Sequence, residues 1–523
     1  MRSRIFVHAG LLGLMVVVSG VLRLQSDGNI LSVGDRKQLF IDHRFIAASE
    51  NIQLTVNPPV KLEKPVIVSD RPWEAFRFAY HSVADDSGLY KMWYSAFDGD
   101  QWGQGEQRGK VLVCYAESRD GLHWEKPNLG LVEYKGSKQN NIILDKGFSM
   151  KTMSVFIDRH APPEKRYKML YDEPSANYSD KRVATSADGL RWNFPHVASL
   201  KHKEDTQHVA FWDTRIKKYV VYIRVRINED GTPAYPVVEA IASNPPVVAP
   251  KRFRPIRALG RLEMDDITQP WPIEKMRTVV AADEHDPDDS DIYTHGPYPY
   301  PYADDAYFLF PMTYQHFRET ESTVGNDGVN DTQFLASRDG IHWMRYDRQP
   351  YLRRGLVGES DGGQIISMGY TIRRGNYLYQ YYSNWPYTHG GFRRLSDHER
   401  ADRSKTWGLA QYRVAVQRLD GYVSADASYQ GGWILTPPLV FKGSRLELNI
   451  DVSAMGQAQE QVEQPDGTAV PGYSLSDCDR ILMNDVAQVV RWKGKSDVSG
   501  LAEKPVRLRI AMTSAKLFAF QFR

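Results

Sequence analysis

A seven-residue pattern, Ser-x-Asp-Gly-x-x-Trp, occurs three times and constrains the fold of this 523-residue chain more than any other feature. Its copies span residues 118–124, 186–192 and 337–343, and the second interval is a little over twice the first. A degenerate copy is therefore expected near residues 243–255. Asp-Gly favours a tight turn because glycine accepts a positive φ, and the tryptophan offers a large face for packing between units. Such long-period self-similarity predicts a β-propeller or a related array of short β-units.

Strand-like segments with period-2 alternation and many aromatic side chains surround these repeats. Their central segments define five units: Leu89–Ser95, Tyr167–Tyr171, Tyr219–Arg224, Ala306–Phe310 and Tyr377–Tyr382. Near the C-terminus, short alternating runs without helix signals indicate a small β-sandwich. The sequence therefore predicts an all-β chain, with a five-bladed β-propeller at 30–428 and a β-sandwich at 429–523.

Charge and composition narrow the class of partner. Lys and Arg total 66 and Asp and Glu total 64, and a net charge of +2 argues against nucleic acid as a partner. Aromatic residues make up 12% of the chain, which favours β-structure and surfaces that stack on sugar rings. Cys114 and Cys478 lie too far apart in sequence to indicate a disulfide framework or a cysteine metal site, and both are expected to be small buried hydrophobes.

Residues 1–25 have the pattern of an export signal. Arg2 and Arg4 precede an apolar run from Ile5 to Leu22, as in a secretory signal peptide. The same run is about long enough to span a bilayer, so an uncleaved N-terminal membrane anchor is the alternative. Either reading predicts a secreted or periplasmic protein, with no other membrane association.

Polar and aromatic clusters precede the middle strands, where the innermost strands of a propeller would form a funnel. The carboxylates expected to be catalytic are Glu74, Glu204, Asp205, Asp291 and Asp361. The side chains expected to bind substrate are Trp73, Arg77, His81, Gln207, His208, Tyr293, His295, Tyr387 and His389. Carboxylates from different blades suit glycoside hydrolysis, in which one acid protonates the leaving oxygen and a second carboxylate activates water or attacks the anomeric carbon. Crowding raises the pKa of one of them and keeps it protonated.

Metal binding has little support in the sequence. The histidines show no zinc-type spacing, and neither a metal nor another cofactor is expected. The acidic segment 283–290 is read as a solvated loop, with a cation-binding loop as the alternative.

Eight segments across nearly the whole mature chain carry a family resemblance: Leu39–Asp42, Tyr115–Trp124, Asp205–Asp213, Asp291–Thr294, Tyr300–Tyr302, Tyr387–Gly390, Pro471–Cys478 and Val490–Gly494. Through them the chain resembles the five-bladed propellers of glycoside hydrolase families 32, 43 and 130, and more closely secreted bacterial proteins related to the family 32 N-terminal domain. In that group a first-blade acid is the nucleophile or base, a second-blade Asp tunes its pKa and a third-blade Glu is the acid. By position the resemblance implies Glu74, Asp158, and Glu204 or Asp205 for these roles. The family 32 motifs Asn-Asp-Pro-Asn, Arg-Asp-Pro and Glu-Cys are absent, so fructan or sucrose specificity is not implied.

These observations favour a secreted carbohydrate-active enzyme, a glycoside hydrolase acting on an oligo- or polysaccharide. A non-catalytic glycan-binding propeller is the main alternative, followed by a sialidase-like enzyme and by metal-dependent or lyase-type chemistry. The hydrolase hypothesis predicts two catalytic carboxyl groups about 5–9.5 Å apart in the funnel. A binding protein predicts carboxylates that are spread too widely or are each paired with an arginine.

Overall fold

The computed structural model describes residues 22–23, 30–74, 78–98, 111–147, 152–174, 179–195, 199–202, 204, 206–228, 256–303, 305–394, 396 and 410–523. Arg77, Asp205, the expected degenerate repeat at 243–255 and nearly all of the export segment lie outside the described residues. The chain divides into two compact units, one of Met1–Leu54 with Ser424–Arg523 and one of Thr55–Val423.

Four separate four-stranded antiparallel sheets form most of the unit Thr55–Val423, with strands numbered along the chain. The first sheet has, in order, β8 (Phe78–Asp86), β9 (Leu89–Phe97), β10 (Val111–Ser118) and β11 (Ile142–Leu144), and the second has β12 (Ser154–Ile157), β13 (Tyr167–Pro174), β14 (Ser179–Ser186) and β15 (Leu200–Lys201). The third has β16 (Val209–Asp213), β17 (Lys218–Ile227), β18 (Ile256–Met264) and β19 (Arg277–Val280). The fourth has β21 (Pro297–Pro299), β22 (Tyr307–Leu309), β25 (Leu335–Ser337) and β26 (Met344–Arg345). The first strands of three of these sheets adjoin one another, since β8 contacts β12 and β12 contacts β16, and we call them innermost. The unit is therefore all-β and propeller-like, as predicted.

The remaining strands of this unit form one eight-stranded sheet. Its strands are β20 (Ser290–Thr294), β23 (Met312–His316), β24 (Gly328–Thr332), β27 (Gln364–Arg374), β28 (Tyr377–Trp385), β29 (Gln411–Arg418), β6 (Val60–Lys61) and β7 (Ile67–Val68). The predicted count of five blades is not confirmed, because only four sheets are separate four-stranded blades. A parallel pairing of Asn330 with Gln364 joins β24 to β27 and merges strands of two successive units.

Glycines allow two of the inner strands to meet. A Cβ at Gly296, just before β21, would lie 2.3 Å from the backbone N of Gly369 in β27. A Cβ at Gly369 would lie 2.5 Å from the carbonyl oxygen of Gly296. Any larger residue at either position would push the two backbones apart.

The repeated motifs are turns that are closed by their own side chains. In the first copy, Asp120 Oδ1 accepts hydrogen bonds from the amides of Leu122 (2.9 Å) and His123 (2.8 Å), and Ser118 Oγ accepts one from Gly121 N (2.8 Å). The second and third copies repeat these bonds. The motif glycines have φ of +76°, +78° and +72°, which explains why Gly follows Asp in every copy.

Each motif also receives a hydrogen bond from a neighbouring sheet. The acceptor in each copy is the carbonyl oxygen of the motif glycine. Tyr381 Oη donates to Gly121 O (2.7 Å), Trp93 Nε1 donates to Gly189 O (2.7 Å) and Tyr222 Oη donates to Gly340 O (2.6 Å). The donors lie in β28, β9 and β17, which belong to three different sheets. The structural interpretation of the repeat is confirmed, and its function is to join adjacent sheets.

The other unit is built on a single nine-stranded sheet. Its strands are β1 (Leu22–Arg23), β3 (Gln38–Leu39), β4 (Ala48–Glu50), β5 (Ile52–Val56), β30 (Val423–Ala427), β31 (Gly432–Leu435), β33 (Leu446–Glu463), β34 (Asp485–Val489) and β35 (Arg507–Phe522), and β2 (Leu31–Gly34) pairs in parallel with β32 (Leu439–Phe441). The predicted C-terminal sandwich is not confirmed, because β35 pairs with β3, β30, β31 and β33 in one continuous sheet.

Residues 30–54, which the sequence analysis assigned to the propeller, lie in this second unit. The ring of Phe45 packs 5.3 Å from that of Phe520 in β35, and Phe40 packs 5.8 Å from Phe520. Both cysteines are buried and free, as expected. The described helices are single 3-10 turns at His43–Phe45, Pro163–Lys165, Ile273–Lys275, Gly391–Arg394 and Ser499–Leu501. In this part of the chain no helix has the length and apolar character needed to cross a membrane.

Candidate functional site

Several predicted side chains gather around Tyr293, between the innermost strands of the propeller-like unit. Tyr293 and Tyr387 are half-buried, and both pack on an apolar cluster contributed by seven strands of three sheets. The cluster comprises Tyr80, Phe97, Val111, Val209, Met312, Ile366, Met368 and Trp385. We call Tyr293, Tyr387, His389, Arg224, Arg226 and Arg257 the Tyr293 site. Half-exposed tyrosines on an apolar floor form a surface that can stack on a sugar ring.

Two buried guanidinium groups contact the ring of Tyr293. The Cζ atoms of Arg224 and Arg257 each lie 5.3 Å from the ring centroid, within cation–π range. Arg224 Nη1 also donates to the Tyr293 carbonyl oxygen at 3.1 Å, which fixes the backbone of β20 against β17. The side chain of Arg226 is 29% exposed, so this third guanidinium can be reached by solvent.

Glu204 is held between two of these arginines. Its Oε2 accepts from Arg224 Nε at 2.5 Å and its Oε1 accepts from Arg226 Nε at 2.6 Å. Burial by itself would raise the pKa of Glu204, but the charges of Arg224 and Arg226 outweigh burial and hold it well below its ordinary value. Glu204 therefore stays ionised at neutral pH and cannot deliver a proton to a leaving group.

Asp291 is neutralised in the same way on the next sheet. Its Oδ2 accepts from Arg257 Nη1 at 2.8 Å and lies 3.2 Å from His316 Nε2. Burial opposes ionisation, but Arg257 and His316 together lower the pKa of Asp291 to about 2. Its Oδ1 is buried and has no hydrogen-bond partner among the described residues.

Tyr293 and His389 form a hydrogen-bonded pair whose proton positions follow from the geometry. The Tyr293 hydroxyl lies 2.9 Å from His389 Nε2, and His389 Nδ1 lies 2.9 Å from the carbonyl oxygen of Asn326. A carbonyl can only accept, so Nδ1 carries the ring proton of a neutral imidazole. The lone pair on Nε2 therefore accepts from the Tyr293 hydroxyl.

The segment that carries His389 is anchored by a buried carboxylate. Asp327 Oδ1 accepts from Gly390 N at 2.7 Å, and its Oδ2 accepts from Ser322 Oγ at 2.8 Å and from Arg394 Nη2 at 2.9 Å. Burial would raise the pKa of Asp327, but hydrogen bonds, among them those from Ser322 Oγ and Gly390 N, lower it. The backbone amide of His389 donates to Gly328 O at 2.8 Å, so the imidazole is held from both sides of its segment.

The other predicted histidines are buried and neutral. His81 and His295 place Nε2 near backbone carbonyls, at 3.2 Å from Tyr381 O and 3.1 Å from Tyr222 O. Burial lowers the pKa of His81 to about 3 and that of His295 to about 4. Burial, with help from nearby cations, also lowers the pKa of His208, whose ring nitrogens have no hydrogen-bond partner among the described residues. Gln207 Nε2 donates to His81 O (3.0 Å) and Met153 O (2.6 Å), which ties three innermost strands together.

Glu74 and Trp73 do not join the Tyr293 site. Glu74 Oε1 accepts from Tyr94 Oη at 2.7 Å and Oε2 accepts from Lys126 Nζ at 2.7 Å, and two backbone amides complete its shell. Burial raises the pKa of Glu74 despite Lys126. Trp73 Nε1 donates to Asn141 Oδ1 at 2.9 Å, and Asn141 itself bonds to Tyr94. Both side chains are thus engaged by Tyr94 of β9 and by residues of the loops beside that sheet.

Asp361 is also engaged elsewhere, since its Oδ2 accepts from Lys61 Nζ in β6 at 2.6 Å. Each described carboxylate that was predicted to be catalytic therefore has a cationic partner, an arginine for Glu204 and Asp291 and a lysine for Glu74 and Asp361. An arginine partner for every carboxylate is the arrangement that the sequence analysis attached to a glycan-binding protein, and two of these four carboxylates, Glu204 and Asp291, have one. Asp205 and Arg77 stay predictions.

The acidic segment 283–290 has arginine partners. Asp286 accepts from Arg345 Nη1 (2.7 Å) and Nη2 (2.8 Å), and Asp283 accepts from Arg348 Nη2 (2.8 Å). These bonds engage both carboxylate oxygens of Asp286 and one of Asp283. Among the described residues, no group of three or more His, Cys, Asp or Glu side chains could hold a metal ion.

Sequence reasoning missed the arginines and their supports. Arg224 and Arg226 alternate with apolar residues in β17, and a charged residue inside such a strand is a signal of a paired buried charge. Arg257 lies between Ile256 and Ala258 at the start of β18 and carries the same signal. Nothing in the sequence near Asn326 and Asp327 indicates that they support a histidine more than 60 residues away.

Comparisons with known proteins establish no family for the chain. No protein-family model matches it. The uncharacterized protein Rv1502 of Mycobacterium tuberculosis (strain ATCC 25618 / H37Rv) is 29% identical over 178 residues, which is 32% of this chain and 53% of that protein. This chain thus spans about half the length of that curated relative. The uncharacterized protein MT1551 of strain CDC 1551 / Oshkosh matches over the same length at the same identity.

Similar solved structures belong to proteins that act on carbohydrates. A glycosyl hydrolase from Bacteroides ovatus is 12% identical, with a TM-score of 0.43 over 71% of this chain and 97% of that one. An N-acetylgalactosamine deacetylase from F. plautii, in complex with blood group B trisaccharide, is 13% identical with a TM-score of 0.41 over 69% of this chain and 94% of that one. A structure from the family of mannoside phosphorylases that contains hydrolases of β-1,2 mannosidic linkages is 13% identical with a TM-score of 0.42 over 71% and 97%. At TM-scores below 0.5 these similarities add nothing to what the sheets themselves show.

Proposed function

We propose that this protein is an exported carbohydrate-active enzyme that binds an oligo- or polysaccharide at the Tyr293 site and cleaves its glycosidic bonds there. The observation that carries the proposal is the site itself. Tyr293 and Tyr387 are half-buried on an apolar floor, beside the hydrogen-bonding groups of His389 and Arg226. Sugars are recognised by this combination, because a ring face stacks on an aromatic side chain while the hydroxyls bond to polar groups at its edge.

Hydrolysis by paired carboxylates is the first mechanism to test. Glu204 and Asp291 are joined to Tyr293 by Arg224 and Arg257, and both suit a base or nucleophile because they stay ionised. A hydrolase also needs an acid, for which Asp205 is the remaining prediction from the resemblance. The finer architecture belongs to the same proposal: β27, β28 and β29, closed by β6 and β7, would be a fifth blade.

A non-catalytic glycan-binding propeller is the second candidate. It is favoured by the pairing of every described candidate carboxylate with a lysine or arginine. Such pairs hold the funnel rigid and leave aromatic and amide groups to contact the ligand. Binding without bond cleavage would be the activity of such a protein.

The two candidates separate in one screen of the full chain against plant, algal and bacterial polysaccharides. Bound protein and released sugar are measured on each polymer, with Tyr293→Ala, Tyr387→Ala and the control Tyr429→Ala. Tyr429 is 78% exposed and belongs to the other unit. We expect both site variants, and not the control, to lose binding and product release. Binding without released sugar would leave the glycan-binding alternative, and wild-type behaviour of both site variants would exclude the Tyr293 site.

Export is tested separately. The segment 1–25 predicts that the protein, expressed in a bacterium, is recovered outside the cytoplasm. Recovery in the cytoplasm with an intact N-terminus would contradict the export part of the proposal.

A further inference from the structure

We infer that Tyr293 and His389 are a proton-transfer pair, and that the polysaccharide cleaved is a polymer of uronate residues, broken by β-elimination rather than by hydrolysis. This inference rests on the proposed function, because it specifies the substrate class and the chemistry of the same site. It has three supports: the orientation of the pair, the excess of guanidinium groups over carboxylates in the site, and the ionised form of those carboxylates.

The pair is oriented for proton transfer. His389 Nδ1 is committed to the Asn326 carbonyl, which also accepts from Tyr314 Oη at 3.0 Å, so Nε2 is left as the base that faces the Tyr293 hydroxyl. Asn326 has φ of +55°, a left-handed backbone conformation that Asn tolerates better than most residues and that directs this carbonyl. His389 is buried while Tyr293 is half-buried, so Tyr293 is the member of the pair that a substrate can contact.

Arg224 and Arg257 bring positive charge to the same phenol ring, and Arg226 joins them through Glu204. These three guanidinium groups pair with two carboxylates, those of Glu204 and Asp291. Arg226 is partly exposed and uses Nε for Glu204. A guanidinium binds a carboxylate through two parallel hydrogen bonds, so a uronate carboxylate is the sugar substituent that this charge balance favours.

The described carboxylates do not supply the acid that hydrolysis needs. Glu204 and Asp291 are both held in the ionised form by their arginines. Glu74 accepts four hydrogen bonds, from Tyr94 in β9, from Lys126 and from the amides of Asp70 and Arg71. Hydrolysis places its two catalytic groups on separate sides of the glycosidic bond, whereas a syn elimination can use one pair on one side.

The step balances without a co-reactant. His389 Nε2 takes the proton of the Tyr293 hydroxyl, and the phenolate oxygen removes the proton from C5 of the uronate. The C5–H electron pair forms the C4=C5 double bond while the C4–O4 bond breaks. O4 takes the proton now held by Tyr293, and His389 returns its own proton to the phenol. Arg226 holds the uronate carboxylate, on which negative charge accumulates when C5 loses its proton.

The experiment uses the full chain with polygalacturonate, an alginate and a glucuronate-containing polymer, beside carboxyl-reduced polygalacturonate as the neutral control. Ultraviolet absorbance of the conjugated C4=C5 double bond and new reducing ends are followed together, for the wild type, Tyr293→Phe, His389→Gln and the exposed control Tyr429→Phe. We expect equal amounts of both products from at least one uronate polymer and none from the neutral control. Each site variant should lose roughly 100-fold in rate, the usual contribution of a proton-transfer group, with a thermal unfolding midpoint near that of the wild type.

Three results would overturn the inference. Reducing ends without ultraviolet absorbance would mean hydrolysis, and the proposed function would stand while the elimination fails. Unchanged rates in folded Tyr293→Phe and His389→Gln would remove the pair from the chemistry. Failure to cleave any polysaccharide, charged or neutral, would overturn the proposed function together with this inference.

Discussion

Glu460, in the unit of Met1–Leu54 with Ser424–Arg523, carries a carboxyl with no visible compensation for its burial. It is 0% exposed, and neither of its oxygens has a hydrogen-bond partner among the described residues. Its backbone is well bonded, since Glu460 N lies 3.2 Å from Cys478 Sγ and Glu460 O accepts from Trp492 Nε1 at 2.9 Å. Burial raises the pKa of this carboxyl well above its ordinary value of 4.5.

The sign of the pH dependence follows from that shift. In the unfolded chain Glu460 ionises near its ordinary value, whereas in the folded chain it keeps its proton to a higher pH. Above pH 4.5 the folded state therefore binds more protons than the unfolded state, and the free energy of unfolding falls by about 1.4 kcal/mol per pH unit until the folded pKa is reached. Below pH 4.5 this loss disappears.

We predict that Glu460→Met stabilises this unit at neutral pH and that the gain shrinks as the pH is lowered. Removing an unpaired buried polar group is worth about 1–3 kcal/mol, and removing its ionisation adds the pH-dependent part. The measurement is urea denaturation followed by tryptophan fluorescence between about pH 5 and pH 8, with Glu460→Gln as a control that cannot ionise but stays polar. Glu460→Gln should flatten the pH dependence without the full gain. A difference between wild type and Glu460→Met that is constant with pH, or a destabilised Glu460→Met, would refute the reasoning.

Two further predictions concern the repeat turns and the Asp291 pair. Gly340→Ala should destabilise the protein more than the matched control Gly88→Ala. Both glycines have positive φ, at +72° and +88°, which costs an alanine about 1–2 kcal/mol at either position. Of the two, only a Cβ at Gly340 would meet side-chain atoms, at 2.1 Å from Arg261 Nη1. Equal losses in thermal unfolding would contradict this account. The Asp291 pair should stabilise the fold above pH 3.8 and lose this effect as the pH falls towards 2, because the pKa of Asp291 is lowered. An acid-unfolding midpoint that is the same in wild type and Asp291→Asn would show that the pair contributes nothing.

The sequence by itself determined the class of fold and the role of its repeat. Alternating aromatic and β-branched segments are local signals, because one face of each strand must meet a neighbouring sheet. The Ser-x-Asp-Gly-x-x-Trp turns are equally local, since Asp120 bonds to amides within three residues of itself. Predictions that rested on such short-range bonds agree with the structure.

The count of sheets and the composition of the site were decided by the tertiary structure. One parallel pairing, Asn330 with Gln364, merges two units, and no residue pattern signals it. Glu204 looked like a catalytic acid because a sequence shows the carboxylate but not the two arginines that neutralise it. Those arginines reach it only because β17 runs antiparallel to β16 and returns its far end to the start of β16. The distance between charges sets both their pKa values and their chemistry, and that distance exists only once the strands have paired.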